Sequence, residues 1–486
     1  MNAGIDFGTT NCSIGLLEDN QPNLQPLEGD NILLPSALYI TKELISIDKI
    51  DAIELKRRII GARSQQSAEI AKAKSQGRTI RVFNDDQLES RERAIMRREG
   101  AAHSQDKYEG QTITDSLNAG TDVFYGEEAI RNHIQFPQDG FFIKSPKTFL
   151  GAEITNSQVN LFGEIVSKIL LYIKNKTEIQ QTGDIENIVL GRPVNFHGTR
   201  GREGNKQALD ILEKSSRAVG FKNIEFLMEP IAASLDYERS LLKNQVVLVI
   251  DIGGGTTDCS MVELGPSYKG NMDRQSSILG FAGERIGGMD LDKSLATRTI
   301  MPSFGRNSLQ DTGLPIPYSI FDKALSINDV NSQRQFLSDV SRREIELYKT
   351  RAIDEYKINR LLTLQQGQFS YRLNRSAELA KIYLSDQDSI KLPLYYIEPD
   401  FFIPITRGDL KMSIGRQLDV FISLMKEVEN QAGKKPDVIY VTGGTAKSPV
   451  VVECIRTYFG DIEIVVGDLF GSVTSGLTTW ADTIYR

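Results

Sequence analysis

Two short loops of nearly the same sequence have the composition of a phosphate-binding site. The first loop, Ile5–Ser13, reads Ile-Asp-Phe-Gly-Thr-Thr-Asn-Cys-Ser, and the second, Ile250–Ser260, reads Ile-Asp-Ile-Gly-Gly-Gly-Thr-Thr-Asp-Cys-Ser. Glycine lets backbone N–H groups approach an anion without a Cβ clash, and threonine hydroxyls add short hydrogen bonds. The aspartate near the start of each loop, Asp6 or Asp251, can hold the water shell of Mg²⁺. A tight turn that needs glycine would explain one such loop, but the repetition with both aspartates favours a phosphate site.

Each loop must be held by the elements on either side of it. An apolar run precedes each loop, and the segments Ser13–Leu17 and Ser260–Leu264 follow as further strands. Each loop is therefore predicted to be the tip of a β-hairpin, and two such tips can hold one triphosphate from both sides. The residues expected to contact phosphate are Gly8, Thr9, Thr10, Asn11, Gly253, Gly254, Gly255 and Thr256.

Length and composition limit the class of protein. The chain has 486 residues, of which 40% are hydrophobic and 25% charged. These values are typical of a soluble globular protein with about two to four domains. The longest apolar run, Val246–Ile250, is too short to span a bilayer, and strand residues begin by Ile5, which leaves no room for a signal peptide. We therefore expect a cytoplasmic protein without a membrane partner.

Cysteine and histidine are too few for several kinds of site. The three cysteines suit a reducing compartment, and Cys12 and Cys259, at matching positions of the two loops, are expected to be small core residues rather than a disulfide. Three histidines and no Cys-x-x-Cys motif argue against a structural zinc site or a histidine-based catalytic triad. Any metal chemistry is expected to use carboxylates and Mg²⁺.

The net charge of −7 is unevenly distributed along the chain. The segment Glu54–Lys107 holds 13 Lys and Arg residues against 8 Asp and Glu residues, and it has the character of a helical insertion. Because charges of both signs are interspersed there, a solvated helical face is a simpler interpretation than a surface for an anionic partner. No nucleic-acid partner is expected.

The second loop restarts the pattern of the first about halfway along the chain, which predicts two similar lobes around a central cleft. In lobe I, the strand Ile224–Met228 delivers Glu229 at its end, and Pro230 follows in the first turn of a helix. In lobe II, the strand Val438–Val441 runs into a glycine turn and then a helix over Pro449–Phe459. The predicted segments are the lobe I core with the first loop (1–35), an insertion (36–155), the rest of the lobe I core (156–240), the lobe II core with the second loop (241–283), a second insertion (284–403), the rest of the lobe II core (404–468) and a C-terminal helix that returns to lobe I (469–486).

Further motifs follow in order along the chain: Gly191-Arg192-Pro193, Glu229-Pro230-Ile231-Ala232-Ala233, Gly287-Gly288-Met289-Asp290-Leu291-Asp292, Arg375-Ser376-Ala377-Glu378-Leu379-Ala380-Lys381 and Gly443-Gly444-Thr445-Ala446-Lys447-Ser448-Pro449. Together with the two loops, they resemble the nucleotide-binding domain of the DnaK chaperones, the seventy-kilodalton heat-shock proteins of the actin-like ATPase superfamily. Ser145–Gly151 and the second loop resemble short YegD-like members of that family. The resemblance implies an α/β fold of two lobes, with a duplicated RNase H-like core and two inserted subdomains.

The same resemblance implies ATP or ADP with Mg²⁺ as cofactors, and it points to K⁺ as a further one. It implies that Asp6 and Asp251 hold the hydrated Mg²⁺ and that Glu229 orders its water shell. Asp251 is the better candidate to accept a proton from the attacking water. Phosphoryl hydrolysis depends chiefly on positioning and on charge neutralisation, so a positively charged side chain is also expected in the site.

The catalytic lysine has two candidates, because Lys56–Gly61 and Lys147–Gly151 both imitate the lysine motif of the family. In the family, a Gly-x-x-Ala segment precedes this lysine. Here Gly126–Ala129 precedes Lys147 but follows Lys56, so Lys147 is preferred, and Lys56 is interpreted as a surface position of a basic helix.

Residues Arg375–Lys381 resemble the adenosine-binding helix of the family. Glu378 and Lys381 lie three residues apart on one helical face, with Ser385 one turn beyond, so that they could reach a ribose or base. An ordinary exposed ion pair is the alternative for two such residues. Ile382 replaces an arginine that stacks on adenine in the family. The other predicted nucleotide contacts are Gly287, Gly288, Gly443, Gly444, Thr445 and Lys447, the last of which replaces an arginine.

Family chaperones continue through an apolar linker into a β-sandwich that holds peptides, and neither follows the last predicted helix. We therefore expect an ATP-binding, slowly hydrolysing, chaperone-like switch without its own peptide-binding domain. It would act on an unknown protein partner or co-chaperone, as a monomer or weak dimer. Two alternatives share the twin loops: an actin-like filament-forming ATPase, against which Lys147 and the long insertions argue, and a small-molecule kinase, which leaves Lys147 and Glu229 unexplained.

Overall fold

The computed structural model describes residues 1–42, 52–75, 88–89, 91–93, 96, 113–118, 120–137, 139–196, 200–271, 274–327, 329–467 and 471–485. Their strands are β1 (Asn2–Phe7), β2 (Asn11–Glu18), β3 (Gln21–Leu24), β4 (Leu34–Pro35), β5 (Ala37–Thr41), β6 (Val123–Tyr125), β7 (Gly140–Lys144), β8 (Asn187–Arg192), β9 (Asn223–Met228), β10 (Gln245–Ile252), β11 (Thr257–Leu264), β12 (Ile278–Glu284), β13 (Ser389–Pro393), β14 (Phe402–Thr406), β15 (Val438–Thr442) and β16 (Glu463–Val466). Their helices are α1 (Ala52–Ser75), α2 (Ile113–Asn118), α3 (Gly126–Gln135), α4 (Asn156–Gln181), α5 (Gly201–Ala218), α6 (Glu229–Glu238), α7 (Gly288–Leu295), α8 (Tyr318–Leu325), α9 (Val330–Phe336), α10 (Asp339–Arg351), α11 (Glu355–Gln366), α12 (Ser370–Asp386), α13 (Arg407–Ser413), α14 (Gly415–Ala432), α15 (Pro449–Phe459) and α16 (Ser472–Ile484). Among the residues so described, no helix combines the length and the apolar character needed to cross a membrane.

The chain forms two compact units. Unit 1 comprises Met1–Ala37, Tyr125–Ile134 and Ile143–Arg486, and unit 2 comprises Leu38–Phe124 and Gln135–Phe142. Of the predicted insertion 36–155, residues 38–124 and 135–142 therefore fall in unit 2, and the remainder falls in unit 1.

Unit 1 contains two sheets that repeat one strand order. The lobe I sheet has the order β3-β2-β1-β8-β9, with β4 added beside β2, and the lobe II sheet has the order β12-β11-β10-β15-β16. In each sheet the first three strands pair antiparallel, and the last two extend the sheet in parallel from the central strand. This repetition is the duplicated core that the twin loops predicted.

The two phosphate-loop candidates are the tips of matching hairpins. In the first hairpin Asp6 pairs with Ser13, and in the second Asp251 pairs with Asp258. The predicted strands Ser13–Leu17 and Ser260–Leu264 lie inside β2 and β11, so both hairpin predictions are confirmed. The central strand β10 is buried along most of its length, which explains its nearly continuous apolar sequence.

Helices α6 and α16 share one core with both sheets. Ile231 and Ala232 of α6 and Leu477 of α16 pack with Val189 of β8 and Val249 of β10, all of them buried. Because α6 begins with Glu229, this core also fixes the position of a predicted site residue.

Helix α16 approaches its neighbours at backbone distance. A Cβ atom built on Gly476 would lie 1.8 Å from the carbonyl oxygen of Ala232, and one built on Gly4 would lie 2.2 Å from the backbone nitrogen of Thr478. The Ser13 and Thr474 hydroxyl oxygens lie 2.6 Å apart in the same interface. Helix α16 is thus held against β1, β2 and α6, with no room for a larger side chain at Gly4 or at Gly476.

Unit 2 contains a three-stranded sheet of order β6-β5-β7 and helices α1 and α2. Its buried Tyr39 donates a hydrogen bond of 2.6 Å to the carbonyl oxygen of Phe136. In α1, the Arg57 and Arg58 side chains pair with Glu54 at 2.9 and 3.0 Å. Much of the basic segment 54–107 lies outside the described residues.

We predict that Gly476→Ala destabilises the protein strongly, because the new methyl group would overlap the Ala232 carbonyl. Overpacking of this kind costs about 3 kcal/mol when the backbone itself must move. Urea unfolding of the variant and the wild type measures the loss.

The matched control is Gly415→Ala at the start of α14, where a Cβ atom would meet nothing within 4 Å. That substitution is expected to be neutral or to stabilise by about 0.5 kcal/mol, because alanine restricts the unfolded chain. Equal midpoints for the two variants would contradict the close packing of α16.

Candidate active site

A cavity of about 610 Å³ in unit 1 is lined by residues of both lobes. The predicted site residues that line it are Asp6, Gly8, Thr9, Thr10, Asn11, Lys147, Glu229, Asp251, Gly253, Gly254, Gly255, Thr256, Gly288, Glu378, Lys381, Gly443, Gly444 and Thr445. Gly287, Ser385 and Lys447 are not among its lining residues. The fold thus brings residues from distant parts of the chain to one place.

The tips of the two hairpins touch each other across this cavity. A Cβ atom on Gly254 would lie 1.7 Å from Thr10 Oγ1, and one on Gly255 would lie 2.9 Å from Thr9 Cγ2. Glycine is therefore required for the two tips to come this close. Glycine-rich tips this close together can present backbone N–H groups to a single anion.

Neighbouring glycines support the second tip from behind. The N–H groups of Gly288 and Met289 donate to the carbonyl oxygens of Gly253 and Gly254 at 2.9 and 2.8 Å. A Cβ atom on Gly287 would lie 2.6 Å from the Gly255 nitrogen. Gly287 therefore packs against the loop backbone, which is why it does not line the cavity.

A buried ion pair lies at the phosphate end of the cavity. Lys147 Nζ donates to Glu229 Oε1 at 2.5 Å, and the two side chains are 5% and 9% exposed. Lys147 sits in the 3₁₀ turn Pro146–Phe149, which follows Ser145 in the left-handed conformation with φ 56°. Such a backbone conformation is uncommon for serine and is held here by the surrounding structure.

The carboxylates around this pair are strongly perturbed. Burial, and next Glu229, raises the pKa of Asp6 to about 7, although Lys147 opposes the shift. Burial and Glu229 also raise the pKa of Asp251 well above its ordinary value. Burial alone would lower the pKa of Lys147, but Glu229 and Asp6 outweigh it and raise that pKa. Three carboxyl groups thus face one ammonium group, an arrangement that favours the binding of a further cation.

The donor set fits a hydrated magnesium ion. Within the described part of the chain, no three His, Cys, Asp or Glu side chains lie close enough together to hold a metal ion directly. Asp6, Glu229 and Asp251 all line the cavity, so they fit Mg²⁺ that keeps its own water ligands. Asp258, which pairs with Asp251 in the second hairpin, accepts a hydrogen bond of 2.9 Å from the Val194 N–H, and burial raises its pKa to about 7.

Secondary structure explains how these charges meet. Asp6 and Asp251 occupy equivalent positions near the ends of β1 and β10, which are the central strands of the two sheets. Glu229 follows β9 directly and opens α6, with Pro230 in the first helical turn. A Cβ atom on Gly191 of β8 would lie 3.3 Å from Glu229 Cγ, so glycine at this position makes room for the glutamate.

Helix α12 forms the other end of the cavity. Lys381 Nζ pairs with Asp292 Oδ1 at 2.8 Å and donates to the Gly288 carbonyl oxygen at 3.1 Å. Glu378 Oε2 pairs with Arg375 Nη1 at 2.7 Å. Ile382, 45% exposed, also lines the cavity and offers an apolar surface for a flat ring.

Two predicted nucleotide contacts, Ser385 and Lys447, do not line the cavity. The Ser385 hydroxyl lies 3.5 Å from the carbonyl oxygen of Lys381, one turn back in its own helix. Lys447 is exposed and precedes α15. Their roles stay predictions.

Several cavity residues were missed by the motif analysis. Asp292 belongs to the motif Gly287–Asp292, so the sequence could have indicated that it lies near the nucleotide, where it pairs with Lys381. Lys144, Tyr371 and Asn374 line the cavity without any motif that marks them. Their contribution depends on tertiary contacts, which a sequence pattern does not show.

The alternative lysine and the cysteines are accounted for separately. Lys56 is an exposed residue of α1 in unit 2. Cys12 and Cys259 are buried free thiols, as expected, and burial raises the pKa of the Cys12 thiol to about 12. A thiol with so high a pKa has little of the thiolate form that reacts.

Comparison with known proteins identifies relatives of this chain. The family model described as Hsp70 protein matches residues 143–312. The protein named chaperone protein DnaK from Prochlorococcus marinus (strain MIT 9515) is 21% identical over 471 residues, which is 94% of this chain and 55% of the relative. Those with the same name from Thermotoga neapolitana and Thermotoga maritima are 27% and 26% identical over 386 residues, or 76% of this chain and 53% of each relative. The resemblance to the DnaK family and the expected actin-like ATPase fold are thereby confirmed, and the chain spans about half the length of these relatives.

Asp6→Asn is predicted to stabilise the protein in the absence of nucleotide and divalent cations. The folded protein holds the Asp6 proton up to about pH 7, whereas the unfolded chain releases it near 3.8. The stability that this proton confers is therefore present below the unfolded value and is lost as the pH rises toward the folded value. In chelator at about pH 8, the asparagine variant should be more stable by about 2 kcal/mol, and its stability should depend less on pH.

Thermal unfolding between about pH 5 and about pH 8 measures this difference. Asp210→Asn, an exposed position on α5, is the matched control and should leave the profile unchanged. A lower melting temperature for Asp6→Asn at high pH would show that the Asp6 carboxylate is not under electrostatic stress.

Proposed function

Because the Hsp70 family model matches residues 143–312 and relatives named chaperone protein DnaK match most of the chain, we propose that its cavity binds Mg²⁺-ATP and hydrolyses it slowly as two lobes close around the nucleotide. The observation that carries the proposal is the meeting of the two glycine-rich hairpin tips beside the buried pair of Lys147 and Glu229. Glycine tips suit a phosphate chain, and the buried pair lies where a terminal phosphate would be held from both lobes.

The charges of the site suit a polyphosphate with its metal ion. Asp6, Glu229 and Asp251 would hold Mg²⁺ through its water ligands, and the ion would neutralise charge on the phosphate oxygens. Lys147 supplies the one buried ammonium group of this cluster, directed toward the same space. We assign it to the terminal phosphate, because a point positive charge stabilises the charge of the transition state.

Asp251 is the proposed acceptor of a proton from the attacking water. Its raised pKa makes it a better base near neutral pH than an ordinary carboxylate. Glu229, already bound to Lys147, is better suited to orienting water than to taking its proton. Such a site works chiefly by positioning, which is consistent with slow turnover.

The opposite end of the cavity would bind the nucleoside. Glu378 and Lys381 would face the ribose, and Ile382 would pack against the base in place of the arginine found in the family. Without a stacked cation, we expect weaker base binding than a guanidinium would provide.

We further propose that lobe closure is read by a protein partner, as in a chaperone-type switch. The relatives named chaperone protein DnaK support this class of function. The partner, the use of K⁺, the oligomeric state and a cytoplasmic location stay predictions.

Calorimetry with purified protein is predicted to show Mg²⁺-dependent ATP binding. Asp251→Asn should keep binding but lose about 100-fold or more in turnover, because the proton acceptor is gone while the phosphate loops remain. Phosphate release in single-turnover experiments measures the loss. Absence of both heat and thermal shift with Mg²⁺-ATP in the wild type would refute the proposal.

The two candidate lysines are predicted to behave differently. Lys147→Ala should lower ATP turnover by about 100-fold or more, because it removes the buried ammonium group. Lys56→Ala, which removes an exposed lysine of unit 2, should leave turnover within about twofold of the wild type. Circular dichroism of both variants confirms folding, and a comparable loss in the two would contradict the assignment of Lys147.

A further inference from the structure

Lys144 lines the cavity but has no part in the chemistry proposed above. It is half-buried at the end of β7, three residues before Lys147. No motif of the sequence marks it. A lysine in this position costs desolvation energy, so its contacts indicate what it does.

The contacts of Lys144 cross from lobe I to lobe II. Its Nζ lies 4.9 Å from the ring centroid of Tyr371, which belongs to α12. The His133 ring of α3 meets the same tyrosine edge-on, with 5.8 Å between ring centroids. Tyr371 is only 5% exposed, so two side chains of lobe I hold a buried aromatic ring of lobe II.

Tyr371 shares one face of α12 with the predicted ribose ligand. Tyr371, Arg375 and Glu378 follow each other at intervals of four and three residues, and all three line the cavity. Burial alone would raise the pKa of Glu378, but Lys144 and next Arg375 outweigh it and hold that pKa below its ordinary value. Lys144 is therefore an electrostatic partner of Glu378 from the opposite lobe.

We propose that Lys144 is a positioning residue of the nucleoside end, which holds α12 against lobe I and orients Glu378 toward the ribose. The inference rests on the proposed function. The ammonium group acts through Tyr371 and Glu378, and Lys147 serves the phosphates separately. Loss of Lys144 should therefore weaken binding of the nucleoside and leave binding of the phosphate chain intact.

The test compares ligands that contain different parts of the nucleotide. Lys144→Met keeps the length of the side chain and removes its charge. The probes are Mg²⁺-ATP, Mg²⁺-2′,3′-dideoxy-ATP and Mg²⁺-tripolyphosphate, with affinities measured by calorimetry and competition. Steady-state kinetics supplies KM and kcat.

For Lys144→Met, the Kd and KM for ATP should rise by about tenfold, because one well-placed charged contact is lost. The value of kcat should stay within about twofold of the wild type. The preference of the wild type for ATP over its dideoxy analogue should shrink, because Glu378 no longer meets the ribose hydroxyls correctly. Tripolyphosphate affinity should stay within about twofold. Lys144→Arg should restore most of the ATP affinity, since a guanidinium also packs on an aromatic ring.

The matched control is Lys391→Met on β13, where Lys391 Nζ lies 5.2 Å from the centroid of the Phe402 ring, away from the cavity. It should change none of these values. Unchanged ATP affinity in Lys144→Met, an equal loss for tripolyphosphate, or an unchanged preference for the ribose hydroxyls would each overturn the assignment. A wild-type protein that binds no ATP would refute the proposed function and this inference together, whereas a failure confined to Lys144→Met refutes the inference alone.

Discussion

The buried ion pair of Lys147 and Glu229 is the interaction on which the charge arrangement of the cavity depends. A buried charge is tolerated only when it is paired and hydrogen-bonded, and removing one partner leaves the other at high cost. Here carboxyl groups also outnumber ammonium groups, because Asp6 and Asp251 lie near the same pair. The protein without ligand therefore carries unfavourable electrostatic energy that a cation and a phosphate chain would relieve. A site of this kind sacrifices stability for binding, as functional sites commonly do.

The duplicated fold explains how such charges can meet at all. The central strand of each sheet carries an aspartate as its second-to-last residue, and the hairpin tip that follows contains glycine, so two equivalent edges face each other. Helices α6 and α16 lie in the core shared by both sheets, and they fix the distance between the two edges. Because interiors are densely packed, a small shift of one sheet must move the tip that it carries. The geometry of the phosphate end is thus set by the core rather than by the loops alone.

Local sequence was sufficient to predict the hairpins, the strand before Glu229 and the helix Pro449–Phe459, because apolar periodicity and turn residues act over a few positions. The ordered motifs were also sufficient to predict which residues would lie near one another in the cavity. They were not sufficient to predict how single polar side chains are oriented. Ser385 lies one helical turn after Lys381, a spacing that could place it at the ligand, yet its hydroxyl lies near the carbonyl oxygen of Lys381 in the same helix. Tyr371 and Lys144 meet only because β7 and α12 come together in the tertiary structure, and no local pattern contains that information.

The packing of α16 has a consequence for the order in which the protein can fold. Residues 472–484 complete the environment of β1, which lies at residues 2–7, so the lobe I core joins the two most distant parts of the described chain. Contacts of such long sequence separation form late and slow the folding of a domain. The lobe II sheet, by contrast, is built entirely from residues 245–466. During synthesis, β1 therefore cannot complete its packing until residues 472–484 have been made.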